Sequence, residues 1–301
     1  MADTARLTVA LGTTQWTRAF KERGPAVGGL TGGGMPVAFA DVAPIHRAFA
    51  PMVREQRFDV SEMALFTFLQ ARAYGKPLVL LPVAVAARFQ EQSLWCRADD
   101  DGIAGPADLA GRRVGVRAYS QTTGGWLRGV LAEDFGVTAD SIRWTTFEGA
   151  HVAEYADPPW VQRADAGADM LAMLRGGELD AVIVGNEPPN DPALRQVFPD
   201  PAAAGERFRA RHGFVPVNHL VAARQELVET RPELVAGFAA ALGRALTEAG
   251  APLPLGRAAL DPAVTLAARW AHDQGLLPRA MTVEEIWAGT PAIELPGERR
   301  S

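Results

Sequence analysis

Short apolar runs alternate along the chain with longer stretches in which apolar residues recur every three or four positions. The runs predict buried strands at 7–11, 35–40, 58–60, 78–83, 93–97, 114–116, 142–145, 179–184 and 215–222. The spaced pattern predicts helices at 46–56, 62–73, 121–133, 170–175, 202–212, 233–249 and 259–272, with Ser61 as the N-cap of the second. Because strands that alternate with helices are typical of sheets covered by helices, the sequence predicts an α/β fold.

The length of the chain predicts two lobes. At 301 residues it is about twice a typical domain. A second strand–helix series begins after the acidic turn 99–102, and the strand at 215–222 is the best candidate for a return to the first lobe. We therefore assign 1–96 and 221–301 to a discontinuous first lobe and 97–220 to the second, and expect the two last helices to pack on the first lobe.

Composition excludes several classes of partner. The net charge of -5, without any basic run, argues against nucleic acid. Cys96 is the only cysteine, so an internal disulfide is impossible and a zinc site would lack its usual thiolates. The five histidines lie far apart, and no metal site is expected. No apolar run is long enough to span a bilayer and no signal peptide is recognisable, so we expect a cytoplasmic protein without a membrane partner. A homo-oligomer is left open.

A set of weak motifs, in a fixed order, carries a resemblance to a known family. The segments are Gly12 with Thr17 and Arg18, then 58–62, 82–83, 111–116 with Tyr119, Thr122, Trp126 and 128–129, then 176–183, 197–201 and 213–219. In this order the chain resembles the 4,5-dihydroxyphthalate decarboxylases. The resemblance implies a two-lobed, type II periplasmic-binding-protein-like fold, with mixed sheets flanked by helices and a ligand cleft between the lobes. It also implies an activity that removes one carboxylate from a dihydroxylated aromatic diacid.

Two departures from the family pattern concern the substrate. Where the family has an Arg-His pair before a Ser-bearing strand, this chain has Phe-Gln-Glu-Gln-Ser at 89–93. The loop after the strand at 179–184 lacks an arginine that the family often places there, and Asn186 stands in it instead. Both changes remove positive charge, which opens the alternative of a different acid with fewer negative charges.

The decarboxylation of an electron-rich aromatic acid needs a proton donor, cationic or amide groups that hold the anion, and a dry pocket, but no metal or cofactor. His219 is the candidate donor, because histidine titrates near neutral pH and this one matches a histidine of the family. Glu62 could orient His219 or relay its proton. The alternatives are a buried histidine bonded to a neighbouring carbonyl and a carboxylate that caps a helix.

The candidate anion-binding groups follow two predicted strands. Arg18, with the Thr17 hydroxyl beside it, lies after the first strand and could grip a carboxylate; a structural salt bridge is the alternative. Tyr119, Ser120, Thr122 and Thr123 precede a helix, whose first amides favour anions, although helix capping alone would explain a hydroxyl there.

Three further residues complete the predicted substrate site. Trp126 could stack on an aromatic ligand, although core packing is the commoner use of tryptophan. Gln92 and Asn186 could supply amide donors where the family has charge.

The leading hypothesis is a cofactor-independent carbon–carbon lyase that acts on a small anionic, hydroxylated aromatic acid. One rival is a solute-binding or sensor protein without chemistry, and another is a related biosynthetic enzyme with a different small acid. The fold alone cannot separate them.

Overall fold

Strands and helices alternate along most of the chain in the computed structural model, which describes residues 6–24, 26–27, 35–185 and 188–297. The strands in these ranges are β1 (Leu7–Ala10), β2 (Ala26–Val27), β3 (Met35–Phe39), β4 (Val60–Ala64), β5 (Leu78–Ala87), β6 (Leu94–Arg97), β7 (Arg113–Val116), β8 (Arg143–Thr146), β9 (Val161–Arg163), β10 (Ala181–Ile183), β11 (Leu194–Gln196) and β12 (Val217–Arg224). The α-helices there are α1 (Arg18–Arg23), α2 (Phe49–Glu55), α3 (Leu65–Ala73), α4 (Thr122–Phe135), α5 (Met170–Arg175), α6 (Pro201–His212), α7 (Gln225–Thr230), α8 (Pro232–Glu248), α9 (Arg257–Asp273) and α10 (Val283–Trp287). These elements confirm the predicted α/β class.

One compact unit, unit 1, consists of residues 1–87, 217–265 and 281–301. Its sheet has the order β2-β3-β1-β4-β12-β5, in which β3, β1 and β4 are parallel and β12 is antiparallel to both neighbours. Helix α8 packs on this sheet through Leu234, Phe238 and Leu242, which recur at helical spacing and are all buried. The carboxyl ends of β1 and β4 therefore share one edge of the sheet, where the loop after β1 begins.

The other compact unit, unit 2, consists of residues 88–216 and 266–280. Its sheet has the order β11-β6-β10-β7-β8-β9, with β10, β7, β8 and β9 parallel and β6 antiparallel to both neighbours. Both sheets are thus mixed. Helix α4 follows β7 after a turn at 117–121 and is buried over its first ten residues.

The unit boundaries differ from the predicted lobes at both crossings. The structure divides the chain at 87/88 and 216/217 instead of 96/97 and 220/221. The reason is strand pairing: β6 pairs with β10 and β11 in the sheet of unit 2, whereas β12 already pairs with β5 at Val217.

A larger correction concerns residues 266–280, which the sequence assigned to the first lobe and the structure places in unit 2. Contacts of Gln274 and Trp270 hold them there. The side chain of Gln274 accepts a hydrogen bond from Arg128 Nε at 2.8 Å, and its carbonyl accepts one from Tyr119 Oη at 3.0 Å. Trp270 lies against the backbone of Gly129, where a Cβ atom would come within 1.8 Å of the indole. Amphipathic spacing identifies a helix but does not reveal which core receives it.

None of the helices in the described ranges combines the length and apolarity that crossing a bilayer requires.

Candidate functional site

A histidine and a glutamate form a close pair in unit 1. Nδ1 of His219 lies 2.6 Å from Oε1 of Glu62. The Glu62 side chain is 6% exposed and that of His219 is 21% exposed, so the carboxylate is enclosed while the imidazole reaches the surface of its unit. Within the described residues no hydrogen-bond partner occupies Nε2 of His219. The pair thus has one nitrogen committed to the carboxylate and one available.

Strand register explains why these two side chains meet. In the antiparallel pair of β4 and β12, Val221 lies opposite Glu62. His219 precedes Val221 by two residues and therefore points to the same face, diagonally across from Glu62. The prediction of a helix that starts at Glu62 is wrong, because Glu62 lies inside β4 and α3 begins only at Leu65. All five β4 residues are buried, which favours a central strand.

The second oxygen of Glu62 is also in use. The backbone N–H of Gly12 donates to Glu62 Oε2 at 2.8 Å, in the loop that follows β1. A Cβ atom at position 12 would lie 3.0 Å from the same oxygen, which is tighter than ordinary van der Waals contact. A carboxylate accepts hydrogen bonds only, so two donors fix its orientation. Because an ionised carboxylate only accepts, Nδ1 carries the hydrogen of this bond, and Nε2 is the nitrogen that can gain or lose a proton.

Thr17 and Arg18 follow β1, but Thr17 is buried and Arg18 is exposed. Thr17 is 1% exposed, and its hydroxyl donates to Gly12 O at 2.6 Å while it accepts from Thr14 N at 2.9 Å. It therefore orders the loop that holds Glu62. Arg18 begins α1 and is exposed.

Lys21, which the sequence analysis missed, is the cation that reaches this loop. Its Nζ donates to Leu11 O and to Thr13 Oγ1, both at 2.7 Å. Burial lowers the pKa of Lys21, and the negative charges of Glu62 and Asp41 oppose that shift. The available signal was its position three residues after Arg18, one helical turn further along α1.

The predicted anion-binding turn lies in unit 2, where Ser120, Thr122 and Thr123 are all at most 5% exposed. Gln121 is the N-cap of α4, and its side chain forms no capping hydrogen bond. Thr122 and Thr123 are the first two residues of the helix, at the end where the helix dipole is positive. The turn thus precedes a helix, as the sequence predicted, and its role in anion binding stays a prediction.

Two other predicted ligand contacts are core residues of unit 2. Tyr119 is 1% exposed, and Trp160 Nε1 donates to its hydroxyl at 3.0 Å while the hydroxyl donates to Gln274. Trp126 is fully buried, and its ring packs edge-on against those of Phe208 and Trp270. Both aromatic rings are thus packed in the core. For Trp126, core packing is the alternative that the sequence analysis gave as the commoner use of tryptophan.

Gln92 and Asn186 are the remaining predicted contacts. Gln92 is exposed in a short 3-10 helix, and its backbone carbonyl accepts from Gln196 Nε2 at 3.1 Å. Asn186 lies outside the described residues.

A second cation that the sequence analysis missed is Arg88, the first residue of unit 2. Its Nη1 donates to Ser93 Oγ at 2.9 Å, and its Nη2 donates to Thr123 Oγ1 at 3.3 Å, which links it to the predicted turn. The signal was present in the sequence, because Arg88 directly precedes the segment in which an Arg-His pair was sought.

Metal ligands are not grouped in the described ranges: no three His, Cys, Asp or Glu side chains there could hold an ion together.

Two curated proteins are similar to this chain in sequence. A 4,5-dihydroxyphthalate decarboxylase of Comamonas testosteroni is 30% identical over 199 residues, which cover 60% of this chain and 58% of that protein. A 4,5-dihydroxyphthalate decarboxylase of Pseudomonas putida is 31% identical over 172 residues, which cover 52% of this chain and 66% of that protein. The matches thus span about three fifths to two thirds of the relatives' length. No family model matches the sequence.

Solved structures are similar over nearly the whole chain. The periplasmic aliphatic sulphonate binding protein SsuA of Escherichia coli has a TM-score of 0.60 at 14% identity, and the match covers 98% of this chain and 96% of that protein. A Candida albicans protein described as having the generic periplasmic binding protein structural fold has a TM-score of 0.55 at 12% identity, with coverage of 98% and 99%. These matches confirm the predicted fold. The chain is therefore a homologue of the 4,5-dihydroxyphthalate decarboxylases that has the periplasmic-binding-protein fold.

Proposed function

We propose that the protein is a carboxy-lyase that needs no cofactor and releases carbon dioxide from a small, hydroxylated aromatic acid. The observation that carries the proposal is the Glu62–His219 pair, with Nε2 of His219 uncommitted among the described residues. Further support comes from the two curated relatives, both of which are named as decarboxylases.

The proposed reaction begins with proton transfer. His219, in its protonated form, donates the Nε2 proton to the ring carbon that bears the carboxylate, and a ring hydroxyl supplies electron density to that carbon. The bond from this carbon to the carboxylate then breaks, carbon dioxide leaves, and the bonding electrons restore the aromatic ring. His219 regains a proton from water. One proton enters and one carbon dioxide leaves, so no oxidant or reductant takes part.

Glu62 has a positioning role in this proposal. Its carboxylate accepts from Nδ1, which keeps the transferable proton on Nε2 and stabilises the positively charged imidazolium. The Gly12 amide fixes the carboxylate from the other side. Lys21 places a positive charge near this group, where the anionic substrate has to approach.

The test is turnover. The purified protein is incubated with 4,5-dihydroxyphthalate and a panel of dihydroxybenzoates, and carbon dioxide release is followed together with the ring absorbance. We expect release from at least one acid and its loss in His219→Gln. Absence of turnover across the panel in the natural protein would contradict the proposal.

A second candidate function is solute binding without chemistry, favoured by the structural similarity to a protein named for binding aliphatic sulphonates. Affinity measurements separate the two. A natural protein that binds an acid and leaves it unaltered, with the same affinity in His219→Gln, would favour the binding protein. A related enzyme with another small acid as substrate would instead show turnover outside the dihydroxylated aromatic acids.

A further inference from the structure

Arg88 has an unusual set of partners for a half-buried cation. Nη1 contacts Ser93 Oγ at 2.9 Å and the carbonyl of Phe89 at 3.4 Å, and Nη2 contacts Thr123 Oγ1 at 3.3 Å. Ser93 and Thr123 are 2% and 5% exposed, so the guanidinium is held from two sides by enclosed hydroxyl groups. Every one of these partners is neutral.

The charge of Arg88 is therefore not balanced by a carboxylate. Within the described ranges Arg88 forms no ion pair, whereas other arginines of unit 2 do, such as Arg97 with Asp100 and Arg113 with Asp180. A guanidinium that leaves water without an opposite charge is unfavourable, and proteins usually provide the counter-charge. In accord with this cost, burial lowers the pKa of Arg88, and the charge of Glu91 opposes the shift.

Glu91 is the acid that influences Arg88, yet its carboxylate is oriented elsewhere. Its Oε2 accepts from the backbone N–H of Gln90 at 2.9 Å, and its Oε1 has no hydrogen-bond partner in the described residues. Burial raises the pKa of Glu91, which disfavours the charged form. Among the described residues, Glu91 thus acts on Arg88 only through its charge and makes no hydrogen bond or ion pair with the guanidinium.

The contrast with Arg128 shows what a purely structural buried arginine has in this unit. Arg128 is 1% exposed, and its guanidinium lies 3.9 Å from the centre of the Tyr119 ring. The ring face and the side-chain oxygen of Gln274 receive its charge, although its Nη1 has no hydrogen-bond partner among the described residues. In the part of the chain that the structure describes, no aromatic ring faces Arg88 in this way, and Arg88 is less enclosed.

Thr123 adds a second favourable feature for an anion. It lies in the first turn of α4, a helix of 14 residues, where the backbone N–H groups carry partial positive charge. Its hydroxyl oxygen accepts from Arg88, and no described residue accepts a hydrogen bond from its O–H, which can therefore donate to a ligand. The guanidinium and this hydroxyl thus place hydrogen-bond donors side by side, and neither group is negatively charged.

We infer that Arg88, together with Thr123, binds a carboxylate of a small organic acid in unit 2. A planar guanidinium fits a planar carboxylate with two parallel hydrogen bonds. The missing Arg-His pair at 89–93 suggested a substrate with fewer negative charges. Arg88, one residue before this segment, supplies a positive charge there. The substrate can therefore carry a second carboxylate that is not removed, as a phthalate does. The identity of this acid rests on the proposed function, whereas the binding role of Arg88 does not.

Equilibrium binding tests the inference without any turnover. Removal of one carboxylate from 4,5-dihydroxyphthalate leaves 3,4-dihydroxybenzoate, and removal of both leaves catechol. Calorimetric titration compares these two ligands on the natural protein, Arg88→Gln, Arg88→Lys and Thr123→Val. Arg209→Gln is the matched control, because Arg209 is an exposed arginine of unit 2 that pairs with Glu206. Folding of each variant is checked by circular dichroism.

We expect the natural protein to bind 3,4-dihydroxybenzoate more tightly than catechol. Arg88→Gln should weaken binding of the carboxylate by about 10-fold or more while catechol binding stays unchanged, since a charge-assisted bond is lost. Arg88→Lys should lie in between, Thr123→Val should lose less, and Arg209→Gln should match the natural protein. Should Arg88→Gln not fold, the lysine variant carries the comparison.

Two results would overturn the inference: a natural protein that does not distinguish the two ligands, or an Arg88 variant that distinguishes them as well as the natural protein does. If Arg88-dependent binding is found but no acid is turned over, the inference stands and the proposed decarboxylase function fails.

Discussion

Nδ1 of His219 and Oε1 of Glu62 lie 2.6 Å apart on neighbouring antiparallel strands, and the Gly12 amide binds the other oxygen of the same carboxylate. The glutamate is thereby committed to positioning, and only the imidazole has a nitrogen left for chemistry. This division of roles leads to the first three predictions.

His219→Gln should lower kcat by about 10²- to 10⁴-fold, the usual contribution of a positioned general acid, with a small change in KM. The measurement is the rate of carbon dioxide release as a function of acid concentration. A variant with the natural kcat would show that the proton comes from another group.

Glu62→Gln should reduce kcat by about 10²-fold or more, because the neutral amide no longer stabilises the imidazolium or fixes its tautomer. Glu62→Asp keeps the charge and should recover part of the rate. Because the two residues act as a unit, the double variant with His219→Gln should be no slower than His219→Gln alone. Additive losses in that cycle would contradict a positioning role.

Gly12→Ala should reduce kcat, because its Cβ atom would lie 3.0 Å from Glu62 Oε2 and the carboxylate would have to move by a few tenths of an ångström. The check is kcat in two backgrounds. In the Glu62→Gln background the same substitution should have little further effect on kcat. An equal loss in both backgrounds would point to general damage to the loop.

Gly129→Ala should destabilise unit 2 by about 1–3 kcal/mol or more, because its Cβ atom would lie within 1.8 Å of the Trp270 ring. Denaturant unfolding followed by tryptophan fluorescence measures the loss. Gly149→Ala is the control, since its Cβ atom would meet nothing within 4 Å, and its stability should stay close to that of the natural protein. Equal stability of both variants would contradict the packing of residues 266–280 on α4.

Asp180→Asn should make stability depend less on pH. Burial alone would raise the pKa of Asp180, but hydrogen bonds from the side chain and backbone of Arg113, together with its charge, outweigh burial and lower it. A carboxyl group with a lowered pKa stabilises the fold above its ordinary pKa of about 3.9, and this stabilisation is lost as the pH falls through the folded value.

At pH 7 the asparagine variant should therefore be less stable by about 1–2 kcal/mol, a reduced figure because the Arg113 side chain is 41% exposed. The difference should shrink as the pH falls below the ordinary aspartate range. Urea unfolding of both proteins across this pH range checks it, and a constant difference would contradict the ion pair as its source.

Local patterns identified the elements well where the period of the apolar residues is clear. Helices α5, α6 and α8 lie within one residue of their predicted bounds, and β12 begins two residues later than predicted. Elements with little apolar signal were missed, among them β9 and β11, whose residues are largely polar and which lie at the two edges of their sheet. An edge strand is stabilised by pairing on one side, and its own sequence need not carry that information.

Residue type alone was enough to predict the part of the site formed by His219 and Glu62. His219 and Glu62 were named as a donor and its orienting partner, but the reason given for Glu62 was a helix start, and the structure places it on a central strand. Lys21 and Arg88 were missed because a cation acquires a role from what surrounds its side chain, and a position next to a motif does not reveal those surroundings.

The sequence by itself determined the α/β class, most helices, the family resemblance and the pair of residues proposed for proton transfer, because these follow from side-chain period and chemistry along the chain. Only the tertiary structure decided the unit that receives residues 266–280, the strand register that brings Glu62 to His219, and the neutral surroundings of Arg88. These depend on contacts between residues distant in sequence, where burial and pairing select among partners that look equivalent in the sequence.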